Sequence, residues 1–381
     1  MTRLARRIDG SRASRVAVPI ALCVSLTACG RDAATPPELV EQWELDNPLR
    51  PVPDAPLGTG IVLASLPEPP TPARVRLGRW LFFDRRLSRD GTISCASCHQ
   101  PEHAFSQTAP VATGIGGAKG RRKVPTIINL AIPRRWSFFA DAPLGAFFWD
   151  GRARTLEQQA LEPVANPMEM GSSHVRLVDT VGGVPGYLPY FAEAFGDASA
   201  TTERIAHAIA DYERTRMSGN SPFDRWQAGE ADAVAADVKR GFTLFSDKAG
   251  CAACHRPPLF TDGEFHNVGV GWDPQTRTFA DEGHYAVTRG TVFVGIPGSF
   301  KTPGLREVTR HAPYMHDGSI ATLRHVVEFY NQGATPNPDL SFRIPRTGLG
   351  LTSSEIDDIL AFLRSLEGEG WQDAGPSHFP R

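Results

Sequence analysis

Cys95-Ala96-Ser97-Cys98-His99 and Cys251-Ala252-Ala253-Cys254-His255 are two copies of one pattern, C-x-x-C-H, in a chain of 381 residues with six cysteines. The two copies lie too far apart for a compact zinc ribbon, whose cysteine pairs are separated by about 20 residues at most. A thioredoxin-like redox pair needs no histidine and sits in a βαβ unit, for which the strand alternation is missing. Covalent c-type haem accounts for every position. Each cysteine adds to a haem vinyl group, and His99 or His255 falls where it can bind iron as the proximal ligand.

Aligning the two motifs exposes a weak internal repeat. Gly78-Arg79-Trp80-Leu81-Phe82-Phe83-Asp84 precedes the first and Gly241-Phe242-Thr243-Leu244-Phe245-Ser246-Asp247 the second, and each is followed by a Phe-containing loop, Phe105-Ser106 or Phe260-Thr261. Helical periodicity puts Ile205, Ala208, Ile209 and Tyr212 on one face within 202–217, and Ile356, Ile359, Leu360 and Leu363 on one face within 354–366 after a Ser353/Ser354 cap. Strand alternation is scarce, while Gly 36 and Pro 32 are spread through long loops. The expected fold is mainly α, with two cytochrome c-like, loop-rich helical domains that each carry one covalent haem c. Their expected bounds are 74–228 for the N-terminal domain and 229–370 for the C-terminal domain, with 371–381 as a tail.

The N-terminus has a different character. Five arginines crowd residues 3–15, and Val16–Ala28 is apolar or small without charge, a run too short to span a bilayer, so residues 1–28 read as a secretory signal. Leu26-Thr27-Ala28-Cys29 resembles the bacterial lipoprotein box, in which the cysteine becomes the lipidated first residue, and Gly30 is compatible with sorting to the outer membrane. Residues 29–73 are proline-rich without sustained periodicity and read as a semi-extended tether. Cys23 leaves with the signal and Cys29 takes lipid, so no cysteine remains for a disulfide. The expected location is the periplasm, with membrane contact only through the lipid anchor.

Lys+Arg 40 against Asp+Glu 42 gives a net charge of −2, so no basic surplus argues for a nucleic-acid partner. Two covalent haems leave an electron carrier, a peroxidase or another oxidase. The carrier needs both irons six-coordinate. The peroxidase needs an acid/base group and hydrogen-bond donors beside an open iron, because cleaving an O–O bond requires a proton moved from one oxygen to the other.

Residues 74–366 resemble the bacterial di-haem cytochrome c peroxidase and MauG superfamily. The matching stretches include Ser94–His99, Pro125-Thr126, Phe148-Trp149-Asp150-Gly151-Arg152, Pro167-Met168-Glu169-Met170, Lys301-Thr302-Pro303 and Pro313-Tyr314-Met315-His316-Asp317-Gly318. By that resemblance Trp149 is an electron relay between the haems, and Gln159 and Glu169 are the distal pair that handles hydrogen peroxide. A carboxylate in an apolar pocket can take and return a proton, and an amide can orient the oxygen.

Three departures from the family pattern carry information. The loop Thr113-Gly114-Ile115-Gly116-Gly117 has Ile115 where the peroxidases of the family supply a capping histidine, so the first haem is expected to be open to peroxide without reductive activation. His103 lies too close to the proximal motif to replace it. Fourteen residues after His316, where those peroxidases place a methionine, stands Tyr330, on the inward face shared by Leu323, Val326 and Val327. Tyrosine ligation is MauG-like, an anionic oxygen favouring oxidised iron more than a thioether does; Met315 is the second candidate ligand. Where the family often holds interdomain calcium with an asparagine stands Lys123, in a basic run with Lys119, Arg121 and Arg122. A lysine cannot ligate calcium, though its ammonium can replace the charge of the ion, which leaves calcium in doubt. The run itself reads as a solvated loop.

These residues imply a MauG-like periplasmic peroxidase. It activates peroxide at the His99 haem, shares oxidising equivalents through Trp149 with a haem held by His255 and Tyr330, and oxidises a partner protein. The alternatives are a peroxidase that takes electrons from a small cytochrome c or copper protein, and a non-catalytic carrier.

Overall fold

The computed structural model describes residues 41–131, 147–289 and 295–381, so the expected signal, Cys23 and the Cys29 lipid site lie outside the described residues. Among the described residues the fold is helical and loop-rich, with two hydrophobic cores that correspond to the two haem motifs.

Helix α1 (Gln42–Asp46) precedes α2 (Pro72–Phe83), α3 (Cys95–Cys98), α4 (Leu156–Ala165), α5 (His174–Gly182), α6 (Leu188–Phe195) and α7 (Thr202–Arg214). Helix α2 starts at Thr71, whose side chain accepts from the Arg74 amide at 3.3 Å, with Pro72 in the first turn where its missing N–H costs nothing. It buries Leu77, Trp80, Leu81 and Phe82 against α7, whose inward face is Ile205, Ala208, Ile209 and Tyr212, as the periodicity implied. The second core joins α8 (Pro222–Gln227), α9 (Ala236–Ser246), α11 (Leu323–Asn331) and α12 (Ser353–Arg364); α10 (His284–Thr288) is a short helix between α9 and α11. The cap of α12 is Thr352, one residue before the expected serines, in a reciprocal capping box with Glu355.

The repeat read in the sequence has one physical cause in both halves. Gly78 of α2 faces the backbone of α7, where an added Cβ would lie 1.8 Å from the Ala208 carbonyl oxygen; Gly241 of α9 faces α12, where it would lie 1.9 Å from that of Asp358. Each haem motif thus hangs from a helix pair pressed together through a glycine. The aromatics repeat as well. Phe82 packs edge-to-face on Phe105 at 6.0 Å, and Phe245 does the same on Phe260 at 6.3 Å.

Among the described residues the strands are short. Strand β1 (Phe265–Asn267) pairs antiparallel with β4 (Ser299–Lys301), Phe265 opposite Lys301, and β2 (Trp272–Asp273) pairs with β3 (Thr278–Phe279) as a hairpin.

Three boundaries differ from expectation. From Glu41 onward the proline-rich segment is laid on the body: the Asn47 amide donates to Arg76 O at 2.9 Å, Arg306 donates to Gly58 O at 2.9 Å, and Ile61 and Leu63 pack with Met217 and Leu259 in a third small core. Apolar side chains interspersed among the prolines find a surface there, so the segment is no free tether. Phe223 of α8, within the expected first domain, is buried in the second core, so α8 packs across the expected boundary. The tail folds back on the first core. Trp371 is buried there, and the Asp373 carboxylate accepts from Arg79 at 2.7 Å and from the Tyr212 hydroxyl at 3.0 Å.

Candidate functional site

One cavity of about 1140 Å³ opens between the two cores and is lined by Cys95, Cys98, His99, Cys251, Cys254 and His255. Its volume exceeds the ~300–1,000 Å³ of common small-molecule sites. All four cysteines are free thiols here. Burial pushes the Cys98 thiol up to about 11 and Cys251 up to about 12, and raises Cys95 further. Raised thiols of this kind suit attachment of a group rather than thiolate catalysis.

The two histidines are oriented alike. His99 Nδ1 lies 3.2 Å from Phe105 O, and His255 Nδ1 lies 2.9 Å from Phe260 O. Each carbonyl accepts a hydrogen bond from Nδ1–H and leaves Nε2 as the lone-pair nitrogen, the arrangement of a metal-binding imidazole. Phe105 and Phe260 reach that position through backbone φ of +56° and +57°. Desolvation drives His99 down to about 4 and lowers His255, so both rings are neutral at physiological pH and able to ligate. The residues present fit a covalently attached haem at each motif.

The correspondence extends past the segments matched in the sequence. Ser106 Oγ donates to Val124 O at 2.7 Å, just before Pro125, and Thr261 Oγ1 donates to Thr302 O at 2.6 Å, just before Pro303. Lys123 and Lys301 are therefore equivalent positions, a pairing hidden in sequence because the loops before them differ in length. Trp149 bridges the two. Its indole Nε1 donates to Lys123 O at 2.8 Å, and its carbonyl accepts from the Lys301 amide at 2.8 Å.

Gln159 on α4, Glu169 and Asn166 share the part of the cavity beside the first motif. Gln159 is buried with its Oε1 lacking any partner. Asn166 donates to Glu169 Oε1 at 2.9 Å, while burial raises the Glu169 carboxyl above its ordinary value against the opposing pull of Arg152. A carboxyl so tuned exchanges protons nearer neutrality. The glycine loop backs onto this turn, with the Ile115 amide on Glu169 O at 2.8 Å; Ile115 itself is buried, its Cδ1 against Gly171.

On the other side Leu323, Val326, Val327 and Tyr330 of α11 line the cavity, as does Met315. Burial and the nearby Cys251 and Cys254 hold the Tyr330 hydroxyl far above its ordinary value. Only half of the basic run is solvated as expected: Lys119 and Arg121 are exposed, but Arg122 and Lys123 are not. Arg122 binds Asp150 at 2.6 Å and Asp281 at 2.7 Å, and Lys123 is buried, because carboxylates and carbonyls far along the chain supply partners that sequence proximity does not reveal.

Two further cavity groups escaped the sequence reading. Glu213, at the end of α7, is buried and pushed up to about 8, with Oε2 lacking any partner. The Lys301 side chain lines the cavity, where desolvation pushes its ammonium down to about 8. Their sequence surroundings, Asp211–Arg216 and Ser299–Pro303, are mixed and give no signal; only the cavity makes them distinctive.

Among the described residues no helix is long and apolar enough to cross a membrane. The family model for di-haem cytochrome c peroxidase matches residues 72–232, and that for cytochrome c matches 238–367. Methylamine utilization protein MauG of Methylorubrum extorquens is 41% identical over 79% of this chain and 80% of its own length. Cytochrome-c peroxidase IdrP1 of Denitromonas iodatirespirans is 33% identical over 93% of both. A crystal structure of a MauG-like protein associated with microbial copper homeostasis superposes with TM-score 0.67 and 30% identity over 85% of this chain and 95% of that one. Two haem-type motifs in one cavity, two cytochrome-like cores and these likenesses converge: the chain belongs to the bacterial di-haem cytochrome c peroxidase and MauG family of oxidoreductases acting on peroxide.

Proposed function

We propose that the chain is a MauG-like peroxidase that uses hydrogen peroxide to oxidise a partner protein. Cys95 and Cys98 attach one haem c with His99 as its ligand. Cys251 and Cys254 attach the other, with His255 and Tyr330 as its ligands. The bound haems supply one-electron chemistry and an iron site for peroxide. The observation that carries this reading is Trp149, hydrogen-bonded to both lysine positions in the wall of a cavity shared by the two motifs.

Glu169 takes the proton of the incoming peroxide and returns it to the departing oxygen; the Gln159 amide, free of protein partners at Oε1, orients it. Ile115 packs away beneath Gly171 and offers no ligand, so peroxide meets no competitor from that loop. Trp149 passes electrons between the modules, and Lys301 pairs with a propionate. Tyr330, on the α11 face that lines the cavity with Leu323, Val326 and Val327, is taken as the second ligand, with Met315 as the alternative. Residues 1–28 direct export to the periplasm, and Cys29 carries the lipid that anchors the protein at the outer membrane.

One equivalent of peroxide added to the oxidised holoprotein should change its absorption and electron paramagnetic resonance spectra. Two low-spin signals that do not respond refute the enzyme and leave a carrier. Tyr330→Phe should alter the low-spin haem spectrum while Met315→Leu leaves it unchanged; the converse overturns the ligand assignment. Turnover with reduced small cytochromes should be slow, and rapid turnover identifies a peroxidase fed by such carriers instead.

A further inference from the structure

Lys123 is 4% exposed. Its ammonium donates to Gln107 O, to Ala109 O at 3.3 Å and to Ala312 O at 3.4 Å. The first two carbonyls belong to the loop after the first motif. The third belongs to the second module, just after the turn Val308–Arg310. Every partner is a neutral carbonyl; the neighbouring carboxylates of Asp150 and Asp281 are taken by Arg122. Burial pushes the ammonium down to about 8, as expected for a charge that no carboxylate offsets.

Backbone oxygens converging from separate loops on one positive charge make the donor set of a hard-cation site. Here the cation is the end of a side chain. An interdomain calcium, which the family resemblance implies, does not fit these residues, because the ammonium occupies the carbonyls and would repel a divalent ion beside it. The same residue anchors the junction through its main chain: the Lys123 amide donates to His316 O at 2.7 Å, and its carbonyl receives the Trp149 indole at 2.8 Å.

We propose that the Lys123 ammonium is a built-in cation that replaces a divalent ion between the two modules and, by clamping loops of both, holds Trp149 in place. Lys123 is thus a positioning residue. Only the electron-transfer arm of its test rests on the function proposed above.

The test uses the holoprotein and two variants. Wild type dialysed against EGTA should keep its absorption and electron paramagnetic resonance spectra and its thermal midpoint, with no heat of Ca²⁺ binding in calorimetry. Lys123→Met, which keeps the bulk and loses the charge, should lower the midpoint by about 5 °C or more, slow inter-haem electron transfer at least tenfold and ignore Ca²⁺. Lys123→Asn exchanges the cation for an oxygen donor and should gain one Ca²⁺ site per chain, its midpoint rising with calcium concentration. A wild type that loses its spectral signature in EGTA and regains it with Ca²⁺ overturns the proposal, as does a Lys123→Met protein with wild-type midpoint and inter-haem rate. The chelation and calorimetry arms need no peroxidase activity, so failure there is separable from failure of the functional reading.

Discussion

Replacing Gly78 by alanine tests the helix crossing from which the first motif hangs. The new Cβ would stand 1.8 Å from Ala208 O, whereas real Cβ contacts stay beyond 3.0 Å and ordinary ones lie at 3.4–4 Å. The obstacle is backbone inside α7, which cannot rotate aside, so α2 and α7 must part by about 1.5 Å in a close-packed interior. Added bulk in a packed core costs ~1–3 kcal/mol, and a backbone obstacle sits at the upper end or beyond. Alanine returns ~1 kcal/mol of helix propensity. The net loss is about 2 kcal/mol, a fall of roughly 4–8 °C in thermal midpoint for a unit of this size. Gly241→Ala, 1.9 Å from Asp358 O, should cost the same, and each variant should disturb chiefly the haem spectrum of its own module. Gly182→Ala is the control: the nearest atom to its Cβ is Ala200 Cβ at 3.8 Å, so it should be neutral or slightly stabilising. Scanning calorimetry with absorption spectra of the three holoproteins decides. A Gly78→Ala protein as stable as Gly182→Ala refutes the close approach and with it the shared architecture of the two modules.

Glu169 accepts a proton only when ionised, and burial raises its titration above the ordinary carboxyl range. The peroxide reaction should therefore slow as pH falls through that raised value; Glu169→Gln should lose this acid limb and react ~10²–10⁴-fold more slowly in stopped-flow mixing. Glu213 titrates at about 8 in the fold against an ordinary 4.5. Between those values the unfolded chain is ionised while the folded one stays protonated, so stability falls as pH rises from 4.5 to 8 and levels off above. Glu213→Gln should flatten this slope in urea denaturation measured across pH, and an unchanged slope would show that Glu213 is not its source.

Much of the site is local in the chain, and what is local was legible. C-x-x-C-H places two thiols and an imidazole on one turn, and the 3.6-residue period marks the buried faces of α7 and α12; the repeat beginning at Gly78 and Gly241 was visible, but the helix crossing behind it was not. Gln159, Glu169 and Tyr330 were reached through family spacing, and the cavity brings each beside a motif. Lys123 and Arg122 were misread as solvated in part because partners such as Ala312 O and Asp281 lie more than a hundred residues away. The tether and tail were misread for a related reason. Proline-rich segments have no period, so nothing local reveals whether their few apolar side chains meet a surface.

The sequence by itself thus determined the two-module helical fold and the family, and with them the expectation of haem c, since each rests on residues adjacent in the chain or repeated at a fixed interval. The tertiary structure alone decided what joins the modules: Trp149 hydrogen-bonded between the equivalent Lys123 and Lys301, an ammonium among carbonyls of both halves, and a C-terminus returned to the first core. Those contacts close across loops whose lengths carry no pattern, and burial, which gives a charge or an indole its function, is a property of the assembled interior.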